Sequence, residues 1–415
     1  MRPRLDYLLR TLPDRHSGAA SAAAGTLSRT DSAEHRSDGW AFGDVLKGPE
    51  AAFAQGSSDL PTPTPFRLSL FCYPYRASKD TGRGHDRYVA ELVDNTRSEA
   101  KHVTVSVVDT GFAKNTLHGL SKLPGQALDL IRATADVYHA ITPMGGAVAA
   151  LMHKQPLVVT IHDLVPFHVL GFDNALKNRA IRQSVRTCVK LAQGIIVPYQ
   201  VTKDELVSRL HADPSKVHVV NYGVDHQNYF VQPNVPRSEK TILFVGSVSR
   251  AKGVEVLLQA FALVKAQIPE AKLLIGGKPS VDQPLLDELV QSLALRDVTF
   301  LGFIAEADLA EHYARATVMV FPSLYGFGLS TLEAMACATP VVGVATLDAT
   351  EFFADAGVLA KPDDVQDLAA CLVRVLAEPK LQREMADKSV AHASRFSWAN
   401  TAKGNVKVYE QVLGR

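Results

Sequence analysis

The sequence predicts an α/β protein made of two doubly wound, Rossmann-like domains that face each other across a cleft. Three observations predict this fold class: the length of 415 residues, an alternation of β-rich runs with helical segments, and a polar break within that alternation. A single hydrophobic core rarely serves more than about 250–300 residues, so this length favours two domains.

The first half of the alternation begins at Phe66. Its β-rich runs are FRLSLFCY, HVTVSVVD, DVYHAI, PLVVTIHD, GIIVPY and KVHVVNYG, and segments with helical spacing separate them. Repeated strand and helix segments are typical of a parallel sheet covered by helices. We therefore predict a first domain over residues 66–232.

The second half begins at Thr241 and contains TILFVG, AKLLIGG, VTFLGF, TVMVFPS, TPVVGV and AGVLAK. Between the two halves, FVQPNVPRSEK at 230–240 combines two prolines with polar residues, as an inter-domain linker does. We predict a second domain over residues 233–395, which leaves residues 396–415 as a closing segment. Open α/β sheets bind ligands beyond the carboxyl ends of their strands, so the cleft is the expected site.

Residues 1–65 differ from the rest of the chain. The stretch HSGAASAAAGTLSRTDSAEHRSDG is rich in Ala, Ser and Gly, which predicts a low-complexity extension that is partly disordered. Before it, MRPRLDYLLRTLPDR has the leucine spacing of a short amphipathic helix. Such a helix either packs on its own protein or contacts a membrane surface or a partner.

Composition excludes several classes of protein. The 44 basic and 43 acidic residues leave no charge excess for nucleic-acid binding. The four cysteines form no C-x-x-C pair, so neither a zinc site nor a disulfide framework is indicated, and a reducing compartment fits. No run of about 18 apolar residues and no signal-peptide core occurs. The predicted location is cytoplasmic, with peripheral contact at the inner face of the membrane as an alternative.

The first glycine turn of interest is DTGRGHDRY, which places Gly82 and Gly84 before a helix that starts near His85. Backbone N–H groups at this turn can approach a phosphate or sugar, unless the glycines serve chain reversal alone. An NAD-dependent oxidoreductase is disfavoured, because its G-x-G-x-x-G pattern would need a third glycine that is absent here.

Polar residues at two further strand ends point to the same cleft. His162 and Asp163 follow the apolar run VVTI, where an imidazole can donate to a sugar hydroxyl or be satisfied by its neighbours. In FVGSVSRAKG, Gly246 allows close approach, and Arg250 and Lys252 precede a helix. Two cations at a helix start suit a diphosphate, although a solvated basic turn has the same sequence.

The stretch with the most candidate site residues is FPSLYGFGLSTLEAMACATPVV at 321–342. Gly326 and Gly328 form a turn between a strand and a helix, and the N–H groups of Gly328, Leu329 and Ser330 are predicted to bind an anion. Glu333 is predicted in the first helical turn, where the dipole favours a carboxylate. The alternative is a capping box in which Glu333 pairs with Ser330.

Taken together, these segments resemble the retaining GT-B glycosyltransferases of family 4 over residues 66–415. NYGVD at 221–225 is similar to the family's stretch before the linker, and FSWANTAKGNVKVYEQVL at 396–413 is similar to its closing helix, which packs back towards the first domain. The resemblance implies an acceptor-side first domain, a second domain that binds a UDP- or GDP-linked sugar, and transfer of a hexose to a glycan or lipid-linked acceptor hydroxyl, as in polysaccharide biosynthesis. It implies no metal and no other cofactor.

The resemblance also implies roles for individual residues. Glu333 matches the second of two family glutamates and is expected to hold the donor ribose. We predict Glu333, His162 and Tyr325 as the catalytic residues. Tyr325 stands where the first glutamate is usual, because SLYGFG is one residue shorter than SLYEGFG. Tyrosine can donate a hydrogen bond but supplies no carboxylate, so a catalytically weak or inactive partner of another glycosyltransferase is the alternative.

A second departure from the family lies in the predicted diphosphate site. Ser247 follows Gly246 where the family often has arginine. The resemblance therefore implies that Arg250 substitutes for that arginine, alone or together with Lys252, in neutralising the diphosphate.

Overall fold

The computed structural model describes residues 63–72, 84–109, 131–168, 175–324 and 328–415. Residues 65–415 belong to one compact unit. Nearly all of the predicted N-terminal extension lies outside the described residues, as do Gly82, Tyr325 and Gly326.

The first sheet contains six parallel strands, and each of the six predicted runs supplies one of them. The strands are β1 Phe66–Cys72, β2 Val103–Asp109, β3 Val137–Ala140, β4 Leu157–Thr160, β5 Gly194–Val197 and β6 Val217–Val219. Their order is β2-β1-β3-β4-β5-β6, with Leu68 of β1 opposite Val105 on one side and Val137 on the other. Most of these strands are continuous apolar runs because helices cover both faces of the sheet.

Helices surround this sheet among the described residues. They are α1 Gly84–Glu99, α2 Pro143–Leu151, α3 Val165–His168, α4 Ala175–Leu191 and α5 Gln200–Leu210. The start of α2 shows the local logic, since Pro143 occupies its first turn and the Thr142 hydroxyl accepts a hydrogen bond from the Gly145 N–H.

The second sheet is again parallel and six-stranded, as predicted. Its strands are β7 Thr241–Val245, β8 Lys272–Gly276, β9 Val298–Gly302, β10 Val318–Phe321, β11 Val341–Val344 and β12 Val358–Ala360, in the order β12-β11-β10-β7-β8-β9. Its described helices are α6 Val254–Gln267, α7 Gln283–Ser292, α8 Glu306–Arg315, α9 Leu329–Ala336, α10 Leu347–Phe353, α11 Val365–Ala377 and α12 Pro379–Ala393. The doubly wound α/β class is therefore confirmed.

The closing helix, α13 Trp398–Val412, returns to the first sheet. Its Trp398 and Tyr409 belong to the same apolar core as Leu68 and Leu92. We call residues 66–219 with α13 the first lobe and residues 241–393 the second lobe. Residues 230–240 join the two sheets without forming a helix or a strand.

Candidate active site

His162 lies two residues beyond the carboxyl end of β4, in the first lobe. Its Nδ1 is 2.7 Å from the Tyr222 hydroxyl, and its ring meets those of His85 and Tyr88 edge-on, with centroids 4.6 and 5.1 Å away. Burial, aided by His85, lowers the pKa of His162 well below its ordinary value, although the Ile141 carbonyl acts in the opposite direction. The ring is therefore neutral at neutral pH, where it can form hydrogen bonds but carries no charge.

Lys252 is a cation of the second lobe that lies close to His85 and Asp163 of the first lobe. It ends a single 3₁₀ turn, Arg250–Lys252, that Gly253 terminates with a left-handed φ of 77°. Lys252 is half-buried, and burial lowers the pKa of its ammonium while the carboxylate of Asp163 opposes that shift. His85 also interacts electrostatically with both Asp163 and Lys252. Lys252 thus faces polar groups of the first lobe.

Arg250 has different surroundings from Lys252, with which it is predicted to form an anion site. Its side chain is 56% exposed, and its Nε donates to Glu255 Oε2 at 2.5 Å. Its backbone N–H donates to Asp282 at 2.9 Å. An anion at Arg250 would compete with Glu255, so the two cations of this turn are not equivalent.

Close backbone approaches hold these turns together. A Cβ added to Gly253 would lie 2.3 Å from the Pro322 carbonyl oxygen, just after β10, so only glycine fits there. The predicted Gly246 donates its N–H to the Gly276 carbonyl at 2.9 Å. Gly277 has a φ of 149°, and its added Cβ would lie 1.6 Å from the Gly246 oxygen. The ends of β7, β8 and β10 are therefore packed backbone against backbone.

The predicted Gly84 is the first residue of α1, and a Cβ added to it would meet nothing within 4 Å. The backbone at this helix start is therefore open rather than packed. Both predicted roles of Gly84, close approach to a ligand and simple chain reversal, are compatible with this open backbone, so its role stays a prediction.

Glu333 lies deeper in its helix than predicted. The helix α9 starts at Leu329 with Gly328 as its N-cap, so Ser330 is the second residue and Glu333 the fifth. The first-turn prediction for Glu333 is therefore wrong. The geometry also disagrees with the capping box, because Ser330 is not the N-cap residue that the motif requires. Tyr325 and Gly326, which belong to the predicted turn before α9, lie outside the described residues.

The Glu333 carboxylate is 4% exposed and has a partner for each oxygen. Oε2 accepts a 2.9 Å hydrogen bond from the buried Tyr313 hydroxyl of α8. Oε1 accepts from the guanidinium of Arg87, which belongs to α1 of the first lobe. Burial of a carboxylate is tolerated when it is paired and hydrogen-bonded in this way.

Arg87 joins two carboxylates of the second lobe. Besides Glu333 it contacts Glu306 Oε2 at 3.1 Å, and the side chains of Arg87 and Glu306 are each 15% exposed. Burial disfavours the guanidinium charge, but Glu333, Tyr229 and Glu306 together outweigh this effect and raise the pKa of Arg87. Arg87 and Glu333 are separated by 246 positions in the chain, and no sequence pattern indicated their contact.

A second carboxylate connects the lobes at the start of α5. Glu351 of α10 accepts hydrogen bonds from the backbone N–H groups of Gln200 and Val201 at 2.7 and 2.8 Å, and so caps a helix of the other lobe. One turn earlier, burial and the charges of Asp163, Glu205 and Glu351 raise the pKa of Asp348 to about 6. The boundary between the lobes therefore contains several acidic groups as well as Arg87 and Lys252.

Within the described part of the chain, no group of three or more His, Cys, Asp or Glu side chains is arranged to hold a metal ion. None of the helices described above is both long and apolar enough to cross a membrane.

Comparison with known proteins gives matches over both lobes. A model described as Glycosyltransferase Family 4 matches residues 80–228, and one described as Glycosyl transferases group 1 matches residues 225–391. A D-inositol 3-phosphate glycosyltransferase of Thermobispora bispora is 32% identical over 305 residues, which is 68% of this chain and 71% of the relative.

Among solved structures, sucrose-phosphate synthase of Thermosynechococcus elongatus aligns with a TM-score of 0.72 at 23% identity, over 84% of this chain and 99% of the other. HepE of Anabaena in complex with UDP-glucose aligns with a TM-score of 0.65 at 20% identity, over 84% and 100%. At these identities the structural matches establish the fold alone, which is GT-B. The two family models and the sequence relative show that the chain belongs to the group 1, family 4 glycosyltransferases and is an enzyme of the transferase class.

Proposed function

We propose that the enzyme transfers a hexose from a nucleotide-diphosphate sugar to a hydroxyl of a glycan or lipid-linked acceptor, with retention of the anomeric configuration. The observation that carries the proposal is the position of the α1 start at the lobe boundary. His85 there meets His162 and interacts with Lys252, while Arg87, two residues on, contacts Glu333. Polar groups of both lobes thus converge where a donor and an acceptor would have to meet.

The proposed roles follow from the chemistry of each group. Lys252 would face the diphosphate, because a half-buried ammonium can offset the charge that develops on the leaving group. The backbone N–H groups of Gly328, Leu329 and Ser330 at the start of α9 would add to this anion site. Removing one such donor typically costs about 3 kcal/mol of transition-state stabilisation. Arg250 is the weaker candidate because it already pairs with Glu255.

On the sugar and ribose sides, neutral groups and one carboxylate are available. His162, held by Tyr222, would form a hydrogen bond with a hydroxyl of the transferred sugar. Glu333 would accept from the ribose hydroxyls. The acceptor oxygen would form its bond to the anomeric carbon on the face from which the diphosphate oxygen departs, and the proton of the acceptor hydroxyl would pass to that departing oxygen. Tyr325 stays a predicted donor-sugar contact.

The names of relatives guide the choice of substrates. HepE was crystallised with UDP-glucose, and the T. bispora relative is named for D-inositol 3-phosphate. Purified protein should be incubated with UDP-glucose, UDP-N-acetylglucosamine or GDP-mannose, each with sugar-lipid acceptors and with inositol 3-phosphate. Transfer detected by mass spectrometry, with the product anomer assigned by NMR, tests donor, acceptor and retention together.

Two control reactions complete the experiment. Adding EDTA tests the expectation that no metal is required, since activity should be unchanged. Donor hydrolysis without acceptor separates a slow transferase from a protein that only binds. An inverted product would overturn retention, whereas binding of nucleotide without transfer or hydrolysis would support the alternative of a partner for another glycosyltransferase.

A further inference from the structure

The contact between Arg87 and Glu333 occupies one oxygen of the carboxylate that is proposed to hold the donor ribose. Glu333 has one oxygen on Tyr313 of its own lobe and the other on Arg87 of the opposite lobe, and only 4% of the residue is exposed. Any ligand hydroxyl that reaches this carboxylate must approach through the side occupied by the guanidinium, because the Tyr313 side is fully buried core.

Arg87 is also held by a second carboxylate that Glu333 does not share. Glu306 lies 3.1 Å from Arg87 Nη2, on α8 of the second lobe. A guanidinium can bind two carboxylates at once because its donors form a planar fork. Release from Glu333 therefore does not leave Arg87 without a partner, since Glu306 can retain it.

We propose that Arg87 competes with the ribose of the donor for Glu333, so that nucleotide binding is coupled to loosening of this contact between the lobes. The inference rests on the proposed role of Glu333 in the function above. A ligand shifts a conformational equilibrium only by its differential affinity for the two states, and here the difference is the carboxylate that Arg87 occupies in one of them. Loss of Arg87 then increases nucleotide affinity instead of reducing it.

The test uses the full chain with UDP and with GDP as probes, and titration calorimetry as the measurement. Arg87→Gln should bind the preferred nucleotide about tenfold more tightly than wild type, within the roughly 5- to 150-fold range typical of coupling between sites. Glu306→Gln, which weakens only the second anchor of Arg87, should shift affinity in the same direction by less. Arg97→Gln is the matched control, because Arg97 is an exposed arginine on the same helix.

Weaker or unchanged nucleotide binding by Arg87→Gln would overturn the proposal, because a guanidinium that contacts the nucleotide lowers affinity when it is removed. Should Arg87→Gln not fold, Arg87→Lys keeps the charge but not the fork and should give a smaller increase in affinity.

The radius of gyration by small-angle scattering, measured without nucleotide, should rise in Arg87→Gln and stay unchanged in Arg97→Gln. A wild-type protein that binds neither UDP nor GDP would refute the proposed role of Glu333, and the scattering result would still decide whether Arg87 holds the lobes together.

Discussion

Single residues at the lobe boundary show how environment sets chemistry. His162 and Lys252 are ordinary titratable side chains, but burial lowers both pKa values, which makes the imidazole neutral and disfavours the ammonium charge. Glu333, in contrast, is buried with a partner for each oxygen. A buried polar group without partners would cost several kcal/mol, so these contacts determine which residues are available to a ligand.

The first prediction concerns Glu333. Glu333→Gln keeps the size of the side chain but removes its charge, so nucleotide affinity should fall by about 1–3 kcal/mol if the carboxylate holds ribose hydroxyls. Thermal unfolding measured beside calorimetry separates binding from stability. Glu306→Gln is the control, since it perturbs Arg87 without touching the ribose position, and its nucleotide affinity should rise slightly instead of falling. Equal losses of affinity in both variants would mean that Glu333 acts only through Arg87.

The second prediction concerns the two cations of the 3₁₀ turn. Lys252→Gln should weaken binding of UDP or GDP by about 1.5–3 kcal/mol, the usual value of a hydrogen bond to a charged group, with little change in melting temperature. Arg250→Gln is the matched control and should change affinity much less, because Arg250 is exposed and paired with Glu255. If the two variants lose the same affinity, the unequal roles assigned to these cations are wrong.

Among the elements, the NYGVD stretch and the start of the closing helix α13 contact each other. Gly223 of NYGVD lies against the backbone that starts α13, and Val224 forms a parallel bridge with Ser397. Further along α13, the Tyr409 hydroxyl is 2.7 Å from His139 Nδ1, whose other nitrogen is 2.8 Å from the Thr160 hydroxyl. Burial lowers the pKa of His139 to about 3, so this ring is a neutral structural link between the closing helix and the first sheet.

The third prediction tests the contact between Gly223 and the start of α13. An alanine Cβ at 223 would lie 2.2 Å from the Trp398 nitrogen, an overlap with backbone that neither segment can relieve by a rotamer change. Gly223→Ala should lower the free energy of unfolding by about 1–3 kcal/mol or more, measured by urea denaturation. Gly84→Ala should be neutral or slightly stabilising, because its Cβ meets nothing and alanine favours helix. Equal stability of the two variants would contradict the packing described for Gly223.

In the whole molecule, three kinds of contact connect the lobes among the described residues. Tyr199 of the first lobe packs in an apolar core of the second, with its ring centroid 6.1 Å from that of Phe352, the Glu351 cap on α5 is a hydrogen bond to backbone, and the Arg87 contact is an ion pair. Apolar contacts depend little on pH, whereas carboxylates at a boundary make stability depend on their protonation. For Asp348 the raised pKa gives the direction of this pH dependence.

The fourth prediction follows from the raised pKa of Asp348. Its pKa is about 6 in the folded protein and 3.8 ordinarily, so between these values the folded state holds more protons than the unfolded state. Stability therefore falls as pH rises through this window, and the penalty is complete above about pH 6. Asp348→Asn should raise the melting temperature relative to wild type at neutral pH, and the gain should disappear as pH approaches 4.

The matched control for this pH series is Asp355→Asn. Asp355 is exposed and paired with Lys388, which lowers its pKa, so its removal should cost a little stability at neutral pH and nothing at acid pH. A gain for Asp348→Asn that is identical at both ends of the series would indicate altered packing instead of a titrating carboxyl.

The fold class could be predicted from the sequence, because strands and helices depend on local patterns of apolar and polar residues. Twelve apolar runs became twelve strands of two parallel sheets, since buried parallel strands need continuous apolar side chains whatever their partners are. The motifs also located His162, Lys252 and Glu333 near strand ends. Local patterns were less reliable for Glu333, whose helix begins at Leu329, so that it falls beyond the first turn.

The contacts between distant side chains became evident only from the folded protein. Sheet order, the pairing of Arg250 with Glu255, and the partners Arg87 and Tyr313 of Glu333 were not predicted from the sequence. Arg87 is 246 positions from Glu333, and nothing in the residues around either one specifies the other. The physical reason is that secondary structure depends on neighbours along the chain, whereas an ion pair between lobes depends on how two separately formed sheets pack, which no local pattern encodes.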